Sequence, residues 1–210
     1  MSNDYYHHVR SEISSLLPEK CSVIMEVGCG AGETLKWLKG SCSCSRTIGV
    51  EYCPDAAEMA KGNVDEVFCG DIEQLELDVE EGSVDLLLCL DVLEHLRDPW
   101  AAMAKLSKYV KKGGAVIASI PNVRHKSVVF PLLFNSKWEY ADAGHLDRGH
   151  LRFFVRETAV GLLEGAGMAV DLVEETGLGR SKRSQMFNSI IPEVIKGLMV
   201  KQFLIRGIKE

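Results

Sequence analysis

Apolar positions in this chain come in short blocks separated by stretches of helical periodicity. The first block, Val23-Ile24-Met25-Glu26-Val27, is apolar apart from one acid and reads as a buried strand. It breaks into Gly28, Gly30 and Gly32, and Ala31, Leu35 and Leu38 then fall at near-helical spacing. A second strand is predicted over 46–51, ending in Glu51, and a third ends at Asp71. Pro54 is placed to open a helix that stops near Gly62 and Asn63. Asp98 and Pro99 supply an N-cap and a first-turn proline for a helix with Trp100, Met103, Leu106 and Val110 inward. Lys111, Lys112, Gly113 and Gly114 should close that helix, and 115–120 should be a buried strand. Ala159, Leu162, Leu163 and Ala166 share one face of a helix ended by Gly167, with strands to follow near 169–174 and 202–208. An amphipathic N-terminal helix over 5–17 stops at Pro18. The alternation is that of an α/β, Rossmann-like doubly wound sheet with helices on both faces. With no internal repeat or linker, 1–210 is expected to form a single domain, its first 20 residues carrying the N-terminal helix.

Composition narrows the function classes. A 210-residue chain that is 46% hydrophobic can cover one core, and a net charge of −6 offers no basic footprint for nucleic acid. No secretory signal or membrane span is legible, so a cytoplasmic protein is expected. The seven cysteines, all between Cys21 and Cys89, are an odd number and suit reduced thiols. Cys42, Cys44 and Cys53 match no zinc spacing, and no metal is expected.

The glycine turn between strand and helix lets a ligand approach the backbone, and two ligands compete for it. A dinucleotide fingerprint needs a third glycine where Glu33 stands. No residue in 24–34 is basic, and Glu26 and Glu33 bracket the turn, which repels a pyrophosphate. An ammonium and a sulfonium would be attracted instead, the charge pattern of S-adenosylmethionine. Glu51 lies 23 residues beyond Gly28, where an acid at a strand tip accepts ribose hydroxyls. Asp71 at the next strand end can accept an adenine amino group.

On these residues the chain resembles class I S-adenosylmethionine-dependent methyltransferases of the small-molecule branch. The matching stretches are 26–32, 49–51, Gly70-Asp71, and 84–99 with Asp91-Val92-Leu93-Glu94-His95 inside it. The resemblance implies seven strands with the last inserted antiparallel, S-adenosylmethionine as cofactor and S-adenosylhomocysteine as product. It also implies that Gly28, Gly30 and Gly32 wrap the methionine part, with Glu26 near its ammonium and Cys29 of the same loop at the cofactor. Glu51 would take the ribose, Asp71 the adenine, and Leu90 and Asp91 the far wall, with Tyr52, Ile72 and His95 also at the cofactor. Tyr5 and Tyr6 either fold over the cofactor or pack as an ordinary helix. The partner would be a small-molecule acceptor, the chain a monomer or homodimer.

The stretch 122–154 interrupts the pattern after the fifth strand and is read as a substrate lid. It is rich in aromatics, histidines and acids. His145 and His150 are candidate general bases for a hydroxyl acceptor, with Asp147 able to orient or replace either. His95 is the rival, with packing at a helix start as its other reading. His150 to Phe154 either brace the lid or touch the acceptor, with Arg152 paired to a carboxylate in the bracing case. The run 147–154 is similar to a tail of methyltransferases of polysaccharide and glycoconjugate assembly, which implies a sugar acceptor. Val155 stands where those carry a helix-capping Ser or Thr, giving up about 1 kcal/mol. Other readings are a quinone, lipid-like or other small acceptor, a cofactor-binding protein without turnover, or a nicotinamide-dependent oxidoreductase.

Overall fold

The computed structural model describes residues 7–41, 44–178 and 192–210. Seven strands form one sheet: β1 (Val23–Val27), β2 (Arg46–Glu51), β3 (Glu66–Cys69), β4 (Val84–Leu90), β5 (Val110–Pro121), β6 (Met168–Glu175) and β7 (Gln202–Lys209). Their order is β3-β2-β1-β4-β5-β7-β6, and β7 runs antiparallel to both neighbours. The helices are α1 (Glu33–Ser41), α2 (Pro54–Ala60), α3 (Pro99–Ser107), α4 (Lys126–Asn135), α5 (Arg156–Glu164) and α6 (Glu193–Met199).

Strand alternation builds two cores, one on each face. Met25, Leu87, Cys89, Val116 and Ala118 point to the face covered by Met103 and Leu106 of α3 and Leu162 and Leu163 of α5. Their neighbours Ile24, Leu86, Leu88 and Ile117 point the other way, against Leu35 and Leu38 of α1 and Ile13 and Leu16 of the N-terminal segment. Every residue of β4 is buried, as a central parallel strand requires. The order in which successive strands are added reverses between the parallel neighbours β1 and β4, which leaves a crevice at their carboxyl ends.

Several local expectations change. The expected helix over 5–17 is a 3-10 helix, Ser11–Leu16, within the described residues, while Tyr5 and Tyr6 lie outside them. Leu17 is extended at ψ 138°, as the residue before Pro18 must be. Helix α3 ends at Ser107, not at the lysine-glycine run, because Val110 already pairs with Val84. Lys111 pairs with Asp85, and the register shift between Val84 and Leu86 takes up Gly113 at φ +75°. Asp98 does cap α3, accepting from the Ala101 amide at 3.0 Å, but Trp100 is half-exposed and Val110 belongs to β5. At α5, Val155 has no capping side chain, and Thr158 Oγ1 accepts the Val155 amide at 3.0 Å from the other side. Among the described residues no two cysteines are joined.

The insertion 122–154 leaves and returns at one point, with Asn122 bridged to Phe154. Asn122 is buried, and its Nδ2 donates to the carbonyls of Gly197 and Val200 at 3.0 and 2.8 Å. Helix α4 lies inside the insertion and leaves Leu133 and Phe134 exposed.

Candidate active site

A cavity of about 1010 Å³ opens at the carboxyl ends of β1, β2 and β4. At its floor the glycine turn crosses between strand and helix. Gly28 and Gly30 hold φ of +71° and +54°, which side chains resist. A Cβ on Gly28 would sit 2.5 Å from Val92 Cγ2, so the turn must also be bare there. The Gly28 amide donates to the Val50 carbonyl at 2.7 Å, tying the turn to β2.

Glu51, at the tip of β2, is aimed by two backbone donors. Its Oε2 accepts the Gly30 amide at 2.8 Å and its Oε1 the Cys53 amide at 2.9 Å. Each oxygen keeps a second lone pair for a ligand. Asp71 Oδ1 accepts the Glu73 amide at 2.9 Å, which turns the chain beyond β3 and sets the carboxylate on the cavity wall. Glu26 is 3% exposed at the end of β1, and its Oε2 is buried without a hydrogen-bond partner. Burial, with the charge of Glu51 adding to it, pushes its carboxyl up to about 8 against the pull of Arg10. A cation bound beside it would draw the carboxyl back down and favour its charged form.

Asp91 directly follows β4 with φ +57°, a left-handed conformation rare for a non-glycine residue. It is held by Arg10, whose Nη1 lies 2.7 Å from Oδ2, by Ser119 Oγ at 3.1 Å from Oδ1, and by Gln202 Nε2. Arg10 lines the cavity with His8 and Glu12. Arg10 carries no signal in the sequence, because its partners Asp91 and Ser119 lie just beyond β4 and on β5.

Of the residues expected at the cofactor, Glu26, Gly28, Cys29, Gly30, Glu51 and Tyr52 line the cavity, as do Asp71, Ile72, Leu90, Asp91 and His95. Gly32 does not. At φ +78°, with a virtual Cβ 2.5 Å from Val64 Cγ2, it fits α1 against its neighbour instead.

The three residues expected as base or helper, His145, His150 and Asp147, do not line the cavity. His145 stacks on His125 at 4.6 Å, and its Nε2 meets the Lys201 carbonyl at 2.9 Å. Its Nδ1 lies 3.4 Å from Ser127 Oγ, so both ring nitrogens are engaged. Asp147 Oδ1 accepts the Gly149 amide at 2.6 Å. His150 is buried with its Nδ1 on the His145 carbonyl at 3.1 Å, and desolvation lowers its pKa. The physical reason is local: a loop returning to the sheet buries its polar rings as fasteners. His95 does line the cavity, and its Nδ1 donates to the Gly149 carbonyl at 3.0 Å, which leaves Nε2 with a bare lone pair.

His150 to Phe154 brace the insertion. Leu151 and Arg152 amides donate to the Glu94 carbonyl at 2.8 and 3.0 Å, and Phe154 is buried. Arg152 donates to the Arg97 carbonyl and lies 5.9 Å from the Trp100 ring centre, in place of the carboxylate pairing expected of it. Gly149 and Leu151 are what this stretch contributes to the cavity wall.

A seven-stranded sheet with an antiparallel β7, a glycine turn after β1 and acids at the tips of β2 and β3 define a class I methyltransferase fold. The family model described as "Methyltransferase domain" matches residues 2–173. The chain belongs to that family, and its cofactor is S-adenosylmethionine. Among solved structures, it is similar to an S-adenosylmethionine-dependent methyltransferase of Archaeoglobus fulgidus, with TM-score 0.68 and 18% identity over 99% of this chain and 95% of that one. A Thermotoga maritima structure described as a possible histamine N-methyltransferase gives TM-score 0.65 and 22% identity over 94% and 86%. The ubiquinone biosynthesis O-methyltransferase of Alkalilimnicola ehrlichii is 32% identical over 117 residues, 52% of this chain and 46% of that protein. The chain spans about half the length or less of the curated relatives it matches. Among the described residues no helix is long and apolar enough to cross a membrane.

Proposed function

We propose that this protein transfers the methyl group of S-adenosylmethionine to a hydroxyl oxygen of a small acceptor with an apolar body, of the phenol or quinol type. The observation that carries the reading is the acidic, glycine-floored cavity between β1, β2 and β4. In it Glu51 receives the ribose hydroxyls, Asp71 the adenine amino group and Glu26 the ammonium, while Arg10 is at hand for the carboxylate of the methionine part. Methyl transfer is an in-line displacement at a carbon already activated by positive sulfur, so the chain's work is alignment and exclusion of water. His95 activates the acceptor through Nε2, in place of His145, His150 and Asp147.

Two observations support an apolar acceptor. Leu151 lies on the cavity wall, and the insertion that carries it also exposes Leu133 and Phe134. The ubiquinone O-methyltransferases among the relatives agree. The sugar acceptor suggested by the run 147–154 loses ground because those residues fasten the insertion to Glu94 and Arg97. The test is formation of S-adenosylhomocysteine from S-adenosylmethionine with a panel of phenols, quinols and sugar nucleotides. Turnover with a phenol or quinol supports the reading. Turnover confined to sugars overturns the acceptor class, and none with any acceptor favours a binding protein.

A further inference from the structure

Behind His95 lies a cluster that cofactor binding does not use. We infer that Glu94, His95 and His150 hold a divalent cation of the kind that favours imidazole, such as Zn²⁺, at the acceptor end of the cavity. One ligating atom from each of the three lies within 4.8 Å of the other two.

The protonation pattern argues for a cation. Both rings give Nδ1–H to a backbone carbonyl, His95 to Gly149 at 3.0 Å and His150 to His145 at 3.1 Å. Each Nε2 is therefore a lone pair, and imidazoles that ligate metals are oriented in this way by their other nitrogen. Glu94 is 1% exposed, and neither of its carboxylate oxygens has a hydrogen-bond partner. His150 Nε2 lies 4.0 Å from its Oε1, so a lone pair faces a carboxylate. Two imidazole acceptors and a buried carboxylate with no donor among them form a set that a cation satisfies at once.

The field and the route agree. Asp91 and Asp147 add negative potential at Glu94, opposed by Arg10. His95 and Gly149 both line the cavity, so an ion reaches the cluster from there. A Cβ on Gly149 would stand 2.9 Å from His95 Nδ1, so glycine is what allows the ring to sit against this backbone. Bond lengths of about 2.0–2.2 Å place ligands roughly 3–3.5 Å apart, so the three side chains close by about 1 Å on binding. Two imidazoles and one carboxylate suit Zn²⁺ or its first-row neighbours better than Mg²⁺ or Ca²⁺. No spacing in the sequence announces the set, since position 150 reaches 94 and 95 only through the returning insertion.

Its use, which rests on the methyl-transfer reading above, is to carry the action of His95 Nε2 on the acceptor: the ion held there would bind the acceptor hydroxyl and lower its pKa. The hydroxyl proton passes to water, the oxygen attacks the methyl carbon, and the new C–O bond forms as the S–C bond breaks. S-adenosylhomocysteine leaves with a neutral sulfide.

The experiment titrates Co²⁺ into chelator-treated protein and follows its visible d–d bands, for wild type, Glu94→Gln and His150→Asn. S-adenosylhomocysteine binding is measured on the same samples. One Co²⁺ per chain, with weak bands of nitrogen and oxygen ligation and affinity at least 10-fold lower in both variants, is the expected result. Absence of the bands, equal affinity in the variants, or an intense thiolate charge-transfer band would overturn the site. A second measurement needs only wild type: ¹⁵N shifts of the histidine rings on adding Zn²⁺ should move at His95 and His150 and stay put at His125 and His145. Shifts elsewhere, or none, also overturn it. Loss of S-adenosylhomocysteine binding in wild type would instead strike the functional reading and leave the Co²⁺ result to stand alone.

Discussion

Replacing Glu26 with Gln separates what stability wants at the cavity floor from what the cofactor wants. The wild-type carboxyl is 3% exposed and titrates at about 8 because burial disfavours its charge. In the unfolded chain it titrates near 4.5. Between those values the folded state binds the extra proton, so stability is full below about 4.5, falls as pH rises, and levels off above about 8. At about 1.4 kcal/mol per pH unit, the whole effect is about 5 kcal/mol as an upper value. Gln has the same shape and cannot ionise, so the variant lacks that loss. At pH 5 the two proteins should melt together. At pH 8.5 the variant should melt higher, and even half the effect is worth roughly 5–10 °C in a chain of this size. Affinity should move the other way. Losing a charged partner for the ammonium costs about 1.5–3 kcal/mol, or roughly 10- to 150-fold in Kd for S-adenosylhomocysteine. Thermal melts at the two pH values and calorimetric titration read both effects. A variant that melts no higher at pH 8.5, or binds the ligand as tightly as wild type, refutes the reasoning.

Other changes should divide cleanly between cofactor, acceptor and scaffold. Gly28→Ala places a Cβ 2.5 Å from Val92 at φ +71° and should cost about 1–3 kcal/mol of stability together with cofactor binding, read by denaturant unfolding and titration. Glu51→Ala removes an acceptor and strands the amides of Gly30 and Cys53, so cofactor Kd should rise at least 10-fold by calorimetry. His95→Gln should lower kcat roughly 100-fold or more with little change in cofactor Kd. His145→Ala should leave kcat nearly unchanged and lower Tm, because both nitrogens of that ring serve the scaffold.

The sheet and the residues lining the cavity floor are legible because both are written locally. Val23 to Val27, the glycine turn and the acids Glu51 and Asp71 each sit within a few residues of the strand end that uses them. The seventh strand's direction came by resemblance, since an apolar run such as Phe203-Leu204-Ile205 does not state its partner. The acceptor end is harder to read for a related reason. Histidines in a polar insertion look catalytic in isolation, and only the fold shows that His145 and His150 fasten it while His95 faces the cavity. Gly32 stands off the cavity wall, and spacing alone cannot separate a glycine bared for a ligand from one bared for Val64. Arg10 was silent because its partners, Asp91 and Ser119, come from distant strands.

A nuclear Overhauser spectrum of the protein loaded with S-adenosyl-L-[methyl-¹³C]methionine puts the central claim to its most direct test. The methyl protons should show contacts to the ring protons of His95 and none to those of His145, with the adenine contacting Ile72 near Asp71. Contacts to His145 without His95, or an adenine lodged away from Asp71, would contradict the orientation of the cofactor and the choice of acceptor-facing histidine together.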